Sequence, residues 1–407
     1  METNSIDNKK AQLAIIFLTV FIYLVGFGVI IPILPILSRD FGATALQTGL
    51  LLSVYSVMQF VFAPFWGGLS DRFGRRPIIV FCLLMEGLSY ILFAFARNLE
   101  MLFVARLLAG FFGASLSTAS AYIGDVTSEK ERSKGMALIG AAFGLGFVVG
   151  PALGGGLTVW AQSISQEPHF DTSFAAFWVA GICFATFIFA FKFLKESLDK
   201  SKRTQQKKKR FQLLWNYLQR PTINSLMIVF GLCALAMSAM EATLILYMGD
   251  RFAWTIKEVS FGFAYIGILI VFTQGFLVRK LLPMWGERQV LSLGLFLFVV
   301  GLGLIPVSEN LSLMAIAMTL LSIGNGLCNP SVMGSISLLA DAQEQGSAMG
   351  VTQSLSALGR ILGPALGGFI YQAWFIGGPF IFSSALAAVA LIMVLVNFKN
   401  LPQQAKV

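Results

Sequence analysis

Charge is what this chain has least of. Of its 407 residues, 12% are Asp, Glu, Lys or Arg and 57% are hydrophobic, whereas a soluble protein of this size carries about a quarter charged residues. No hydrophilic stretch is long enough for a soluble domain, which excludes a soluble enzyme and a sensor with an output domain. Histidine is nearly absent: His169 is the only one. The four cysteines, Cys82, Cys183, Cys233 and Cys328, stand alone in apolar segments with no C-x-x-C spacing. Neither a zinc site nor a redox pair is expected from them, and they read as small apolar filler. No Walker-type phosphate loop occurs, so direct coupling to ATP is excluded. The formal charge of +9 is not arranged as a basic face interleaved with aromatics. No nucleic-acid partner, cofactor or metal is expected.

What is present is apolar length. Thirty-eight phenylalanines and forty glycines suit helices packed in lipid. Runs of about 20 residues or more, each enough to span a bilayer, cover 11–37, 46–66, 77–96, 100–124, 134–157, 173–194, 221–248, 258–280, 289–307, 311–338, 347–371 and 377–398. The first is too long for a cleaved signal peptide and is expected to be retained as a helix. The chain is therefore read as all-α and polytopic, with twelve transmembrane helices. Most of the 29 Lys and Arg fall in alternate loops, which places both termini in the cytoplasm. The basic stretch 195–220, with Lys207-Lys208-Lys209-Arg210, is expected to be a cytoplasmic linker between six-helix halves at 1–194 and 221–407. Phe211, Leu214, Trp215 and Leu218 recur there at helical spacing, as in a short interfacial helix.

The halves repeat. Gly146-Phe-Val-Val-Gly150-Pro151-Ala-Leu-Gly154-Gly155 returns as Gly359-Arg-Ile-Leu-Gly363-Pro364-Ala-Leu-Gly367-Gly368, a shift of 213 residues. Small residues at four-residue spacing let helices approach closely in lipid, and Pro151 in mid-helix frees a carbonyl. The most unusual segment is the charged knot between the second and third apolar runs, Gly67-Gly68-Leu69-Ser70-Asp71-Arg72-Phe73-Gly74-Arg75-Arg76-Pro77. Its glycines permit a sharp reversal and Pro77 suits the first turn of a helix. A degenerate copy without the Asp, Arg279-Lys-Leu-Leu-Pro-Met-Trp-Gly286-Glu-Arg288, lies near the shifted position.

The knot resembles the loop 2–3 signature of the major facilitator superfamily. Gly146–Gly155 resembles the fifth-helix signature of its antiporters. Gly26-Phe-Gly28-Val-Ile-Ile-Pro32-Ile-Leu-Pro35 and Arg106-Leu-Leu-Ala-Gly110-Phe-Phe-Gly113 resemble the first- and fourth-helix signatures of its twelve-helix drug exporters. Tyr55-Ser-Val-Met-Gln59 and Arg251-Phe252-Ala-Trp254 extend the likeness toward tetracycline and multidrug/proton antiporters. The resemblance implies two parallel-repeat halves and a conformational latch of Gly67, Asp71, Arg72, Gly74, Arg75, Arg76, Asp125 and Arg132. It also implies proton transfer at Arg106 and a monomeric protein of the bacterial inner membrane. The departures concern tetracycline itself. The first-helix acid of those exporters falls at Tyr23, their third-helix acid at Ser89, and their ninth-helix acid is missing.

Charge inside the membrane costs about 2.5–3.5 kcal/mol on insertion scales and marks function. Glu86, Arg106, Glu241 and Arg360 are so placed. Glu241, Glu86 and Arg106 are the proton-coupling candidates, Glu241 foremost because the seventh helix lines the cavity in superfamily folds. Arg360 sits within the repeated glycine motif. Tyr23, Gln59, Gln274, Asn325, Asn329 and Gln353 are substrate-cavity candidates. The function expected is export of lipophilic small molecules in exchange for protons by alternating access, with protons, substrate and membrane lipids as partners. The alternatives are a proton-independent facilitator or lipid-type flippase, and more distantly a membrane-embedded enzyme.

Overall fold

A computed structural model describes residues 2–127, 132–165, 167, 169–198, 220–339 and 345–397. The regular elements among them are helices: α1 (Glu2–Asp40), α2 (Ala45–Phe73), α3 (Arg75–Ala94), α4 (Leu99–Gly113), α5 (Leu116–Val126), α6 (Arg132–Ile164) and α7 (Phe170–Phe193). They continue as α8 (Pro221–Phe252), α9 (Ile256–Phe272), a π-helical turn (Thr273–Leu277), α10 (Val278–Leu304), α11 (Leu311–Leu339), α12 (Gln345–Ala373) and α13 (Gly378–Val396). Nine helical stretches among the described residues are long and apolar enough to cross a bilayer. One of these, Lys257–Leu304, amounts to two spans, because Gly286 breaks its backbone at φ 75°, ψ 166°. α6 and α12, of 33 and 29 residues, are long enough to span as well, which brings the spans to twelve among the described residues.

Two elements differ from the sequence expectation. The fourth span is not one helix but α4 and α5, broken at Ala114–Ser115. Ser117 N turns back to Ala114 O at 3.2 Å, which leaves the Gly113 carbonyl to other donors. The reversal after the second span is also tighter than expected. Gly67 and Gly68 lie inside α2, and Gly74 alone makes the turn, at φ 109° and ψ 158°, a backbone region that disfavours any side chain.

The contacts divide the chain into two compact units. One comprises Met1–Ala43, Val54–Gln206 and Trp254–Ala264, the other Thr44–Ser53, Lys207–Ala253 and Tyr265–Val407. In the first, α6 packs along α1 and α3 along α7; in the second, α12 packs along α8 and α10 along α11. The glycine motifs make the α6–α1 and α12–α8 approaches. A Cβ at Gly146, Gly150 or Gly154 would lie 2.7, 2.6 and 2.6 Å from Leu24 Cβ, Gly28 Cα and Val29 O. At Gly359, Gly363 and Gly367 it would lie 2.7, 2.8 and 2.8 Å from Leu235 N, Leu235 O and Ala239 O. α6 continues unbroken through Pro151, and Gly155 is buried beside it.

Candidate functional site

At the end of the first unit where α2 turns into α3, Arg75 is 4% exposed. Its Nη1 lies 2.5 Å from Asp71 Oδ1 and donates to Ser70 Oγ at 2.6 Å, while Nε donates to Asp125 Oδ2 at 3.0 Å. One guanidinium thus gathers two carboxylates from α2 and α5 in charge-assisted bonds, the strong kind. Arg75, rather than Arg72, is the centre of the knot. Arg72 is exposed, with its guanidinium carbon 5.9 Å from the Phe73 ring centroid. Arg76 donates from Nη2 to Phe191 O at 2.6 Å and stands 5.5 Å from the Phe191 ring centroid. Gly67 is half-buried and a Cβ there would meet only Ser117 Oγ, at 3.8 Å, so no close approach requires that glycine. The Arg132 side chain lies outside the described residues.

Deeper in the same unit a second polar group assembles. Arg106 on α4 is 1% exposed, its guanidinium carbon 4.4 Å from the Tyr55 ring centroid and 5.8 Å from that of Phe27. Stacking of this kind holds a cation among apolar helices without a counter-ion in contact. Glu86 on α3, also 1% exposed, acts on Arg106 electrostatically. Glu86 Oε1 and Oε2, Arg106 Nε and Nη1, and Tyr90 Oη have no hydrogen-bond partner among the described residues. Leaving such atoms unpaired costs about 1–3 kcal/mol each, more for charged groups, so their retention calls for a reason beyond packing.

Beside them the Tyr23 and Tyr55 hydroxyls share a short hydrogen bond. Tyr23 Oη donates to Gly113 O at 3.3 Å. Gln59 Nε2 lies within hydrogen-bonding reach of that oxygen at 3.2 Å and of the Tyr23 and Tyr55 hydroxyls at 3.1 and 3.3 Å. The α4–α5 break is therefore pinned by α1 and α2. Any side chain at Gly113 would displace the two phenols, since a Cβ there would lie 2.5 and 2.9 Å from their oxygens. Tyr55 and Tyr90 join this group without having stood among the sequence candidates. The signal for Tyr55 was its i,i+4 spacing to Gln59, which puts both on one helix face.

In the second unit Glu241 on α8 is half-buried, and the charge of Arg360 from α12 acts on it. Arg360 Nη1 donates to Ser356 Oγ at 2.8 Å. The α12 glycines that admit α8 so closely also bring this arginine to face the acid. Gln274, in the π-helical turn, and Gln353 are exposed, and Asn325 and Asn329 are half-buried. The hydrogen-bonded group about Tyr23 includes none of these four.

Sequence and structure comparisons agree with this architecture. The family model for the Major Facilitator Superfamily matches residues 16–286 and 280–407. The class B tetracycline resistance protein of Escherichia coli is 32% identical over 85% of this chain and 85% of its own length. Multidrug resistance protein 2 of Bacillus subtilis (strain 168) is 28% identical over 96% of each. Among solved structures, the human organic anion transporter MFSD10 superposes with a TM-score of 0.70 at 25% identity, covering 95% of this chain and 99% of that one. With spans of this number, an arginine pairing two carboxylates at the turn between the second and third, and a family match along nearly the whole chain, the protein belongs to the major facilitator superfamily of membrane transporters, which are not enzymes.

Proposed function

We propose that this transporter exports lipophilic small molecules, cationic ones foremost, in exchange for protons. It does so as a monomer in the bacterial inner membrane, with both termini and the 195–220 linker cytoplasmic and with 1–194 and 221–407 as its rocking halves. One observation carries the reading: among the described residues, each half holds a carboxylate well inside an apolar span with the charge of an arginine acting on it, Glu86 with Arg106 and Glu241 with Arg360. Carboxylates at such depth are retained where they load and release charge.

The two acids differ in access, and the difference assigns their roles. Glu241 keeps partial exposure, and in this reading a proton and a cationic substrate compete there for the same carboxylate. That competition alone yields antiport. Glu86 is sealed and acts on Arg106, whose position over Tyr55 follows the charge state of its neighbour. Relatives named for tetracycline and multidrug resistance support export of drug-like compounds. The substituted first-helix acid, here Tyr23 in a hydrogen-bonded knot, argues for compounds other than tetracycline.

The test is efflux of ethidium and a panel of lipophilic cations from cells expressing the protein, with and without a protonophore. Efflux is expected to collapse with the protonophore in wild type and to be absent in Glu241→Gln. Protonophore-resistant efflux, or full efflux by Glu241→Gln, would overturn the reading.

A further inference from the structure

The chain leaving α7 folds back onto the latch. Leu194 ends the helix in an extended conformation, φ −72° and ψ 122°, and the next three residues each engage α3 or α5. Lys195 O accepts from Tyr122 Oη at 2.9 Å. Ser197 Oγ donates to Asp125 Oδ2 at 3.1 Å, the oxygen that also receives Arg75 Nε. Between them Glu196 reaches the start of α3. Its Oε1 accepts from Arg75 N at 2.8 Å and its Oε2 from Arg76 N at 3.3 Å. The same Oε1 accepts from Ser197 N and Leu198 N at 3.1 and 3.0 Å, which shapes the strap itself.

The chemistry of the helix start explains the fit. The first N–H groups of a helix have no acceptor within it, and Gly74, the N-cap residue, has no side chain to supply one. A carboxylate there accepts those bonds and meets the positive end of the helix dipole. α3 thus takes its cap from a residue 121 positions away. We propose that Glu196 is a positioning residue of the latch: it ties the strap after α7 to the start of α3, so that Arg75 and Asp125 separate only when the strap releases. The coupling is a matter of geometry and does not depend on whether protons drive transport.

Hydrogen–deuterium exchange on the full-length protein in lipid nanodiscs tests this without any substrate. In Glu196→Gln the amides of Arg75 and Arg76 are expected to exchange about tenfold faster, the loss of a charge-assisted bond. The amides of Asp125 to Thr127 should quicken with them, because Ser197 leaves Asp125 when the strap loosens. Glu196→Asp, which keeps the charge, is expected to restore part of the protection. Faster exchange confined to Arg75 and Arg76 would reduce Glu196 to a local cap and overturn the coupling. No change, or a uniform rise along all of α3, would overturn it as well.

Discussion

The two halves of this transporter pack alike and are charged differently. α6 meets α1 and α12 meets α8 through the same spacing of glycines, at which an added Cβ would lie 2.6–2.8 Å from atoms of the facing helix. Both halves also turn between their second and third spans at a glycine of positive φ, Gly74 at 109° and Gly286 at 75°. The residue after each turn is buried, but it is Arg75 in the first half and Glu287 in the second, 4% and 5% exposed. Backbone geometry has been kept through the repeat while the sign of the buried charge has inverted. Helix packing is thus a shared property of the halves, whereas the buried charge at the turn is an arginine in the first and a glutamate in the second.

The largest effect that bears on this comparison is steric. Gly150→Val and Gly363→Val each place side-chain atoms where the facing helix has backbone, and both should cost more than the about 1–3 kcal/mol of ordinary overpacking. The expected outcome is severe and similar loss of folded protein in detergent, read by yield and Tm. Tolerance of one but not the other would break the equivalence of the packing. Next comes charge. Arg75→Ala removes the cation between Asp71 and Asp125, which are 29% and 25% exposed by side chain. Their partial solvation softens the about 3–5 kcal/mol of a broken buried pair to about 2 kcal/mol, and transport should fall at least about tenfold. Glu287→Gln keeps the shape of its side chain and should cost about 1 kcal/mol; equal loss of transport in both variants would mean that the two turns do the same work.

Smaller effects sharpen the first half. Tyr23→Phe removes the donor to Gly113 O and a partner of Tyr55 and Gln59, at about 1 kcal/mol. Its thermal shift should exceed that of Arg72→Ala, an exposed change expected to stay within about 0.5 kcal/mol. The reverse order would place Arg72 in the latch and Tyr23 outside the pinned break.

Most of the fold was legible because membrane helices announce themselves by length: among the described residues the expected apolar runs lie in helices, the fourth in two pieces, and the glycine repeat already pointed to a duplicated half. The break at Ala114–Ser115 was not legible, since its cause lies in Tyr23, Tyr55 and Gln59, which come from two other helices. Gly67 and Gly68 suggested a turn, yet they stand in α2 because nothing local forbids helix before Gly74. For the candidate site, intramembrane charge singled out Glu86, Arg106, Glu241 and Arg360 on cost alone. What each one faces is a tertiary fact. Tyr90 stands one helical turn after Glu86 by sequence spacing alone, but its sealing from solvent comes from the fold, and Glu196 is an ordinary linker acid until the strap turns back to α3.

Proton–substrate competition at Glu241 is most directly tested by proton release from the purified transporter on binding tetraphenylphosphonium, followed with a pH indicator in weak buffer across a range of pH. Wild-type protein is expected to release a proton on binding, with affinity rising as pH rises and the carboxyl gives up its proton. In Glu241→Gln both the release and the pH dependence are expected to vanish. Undiminished proton release by Glu241→Gln would contradict the assignment.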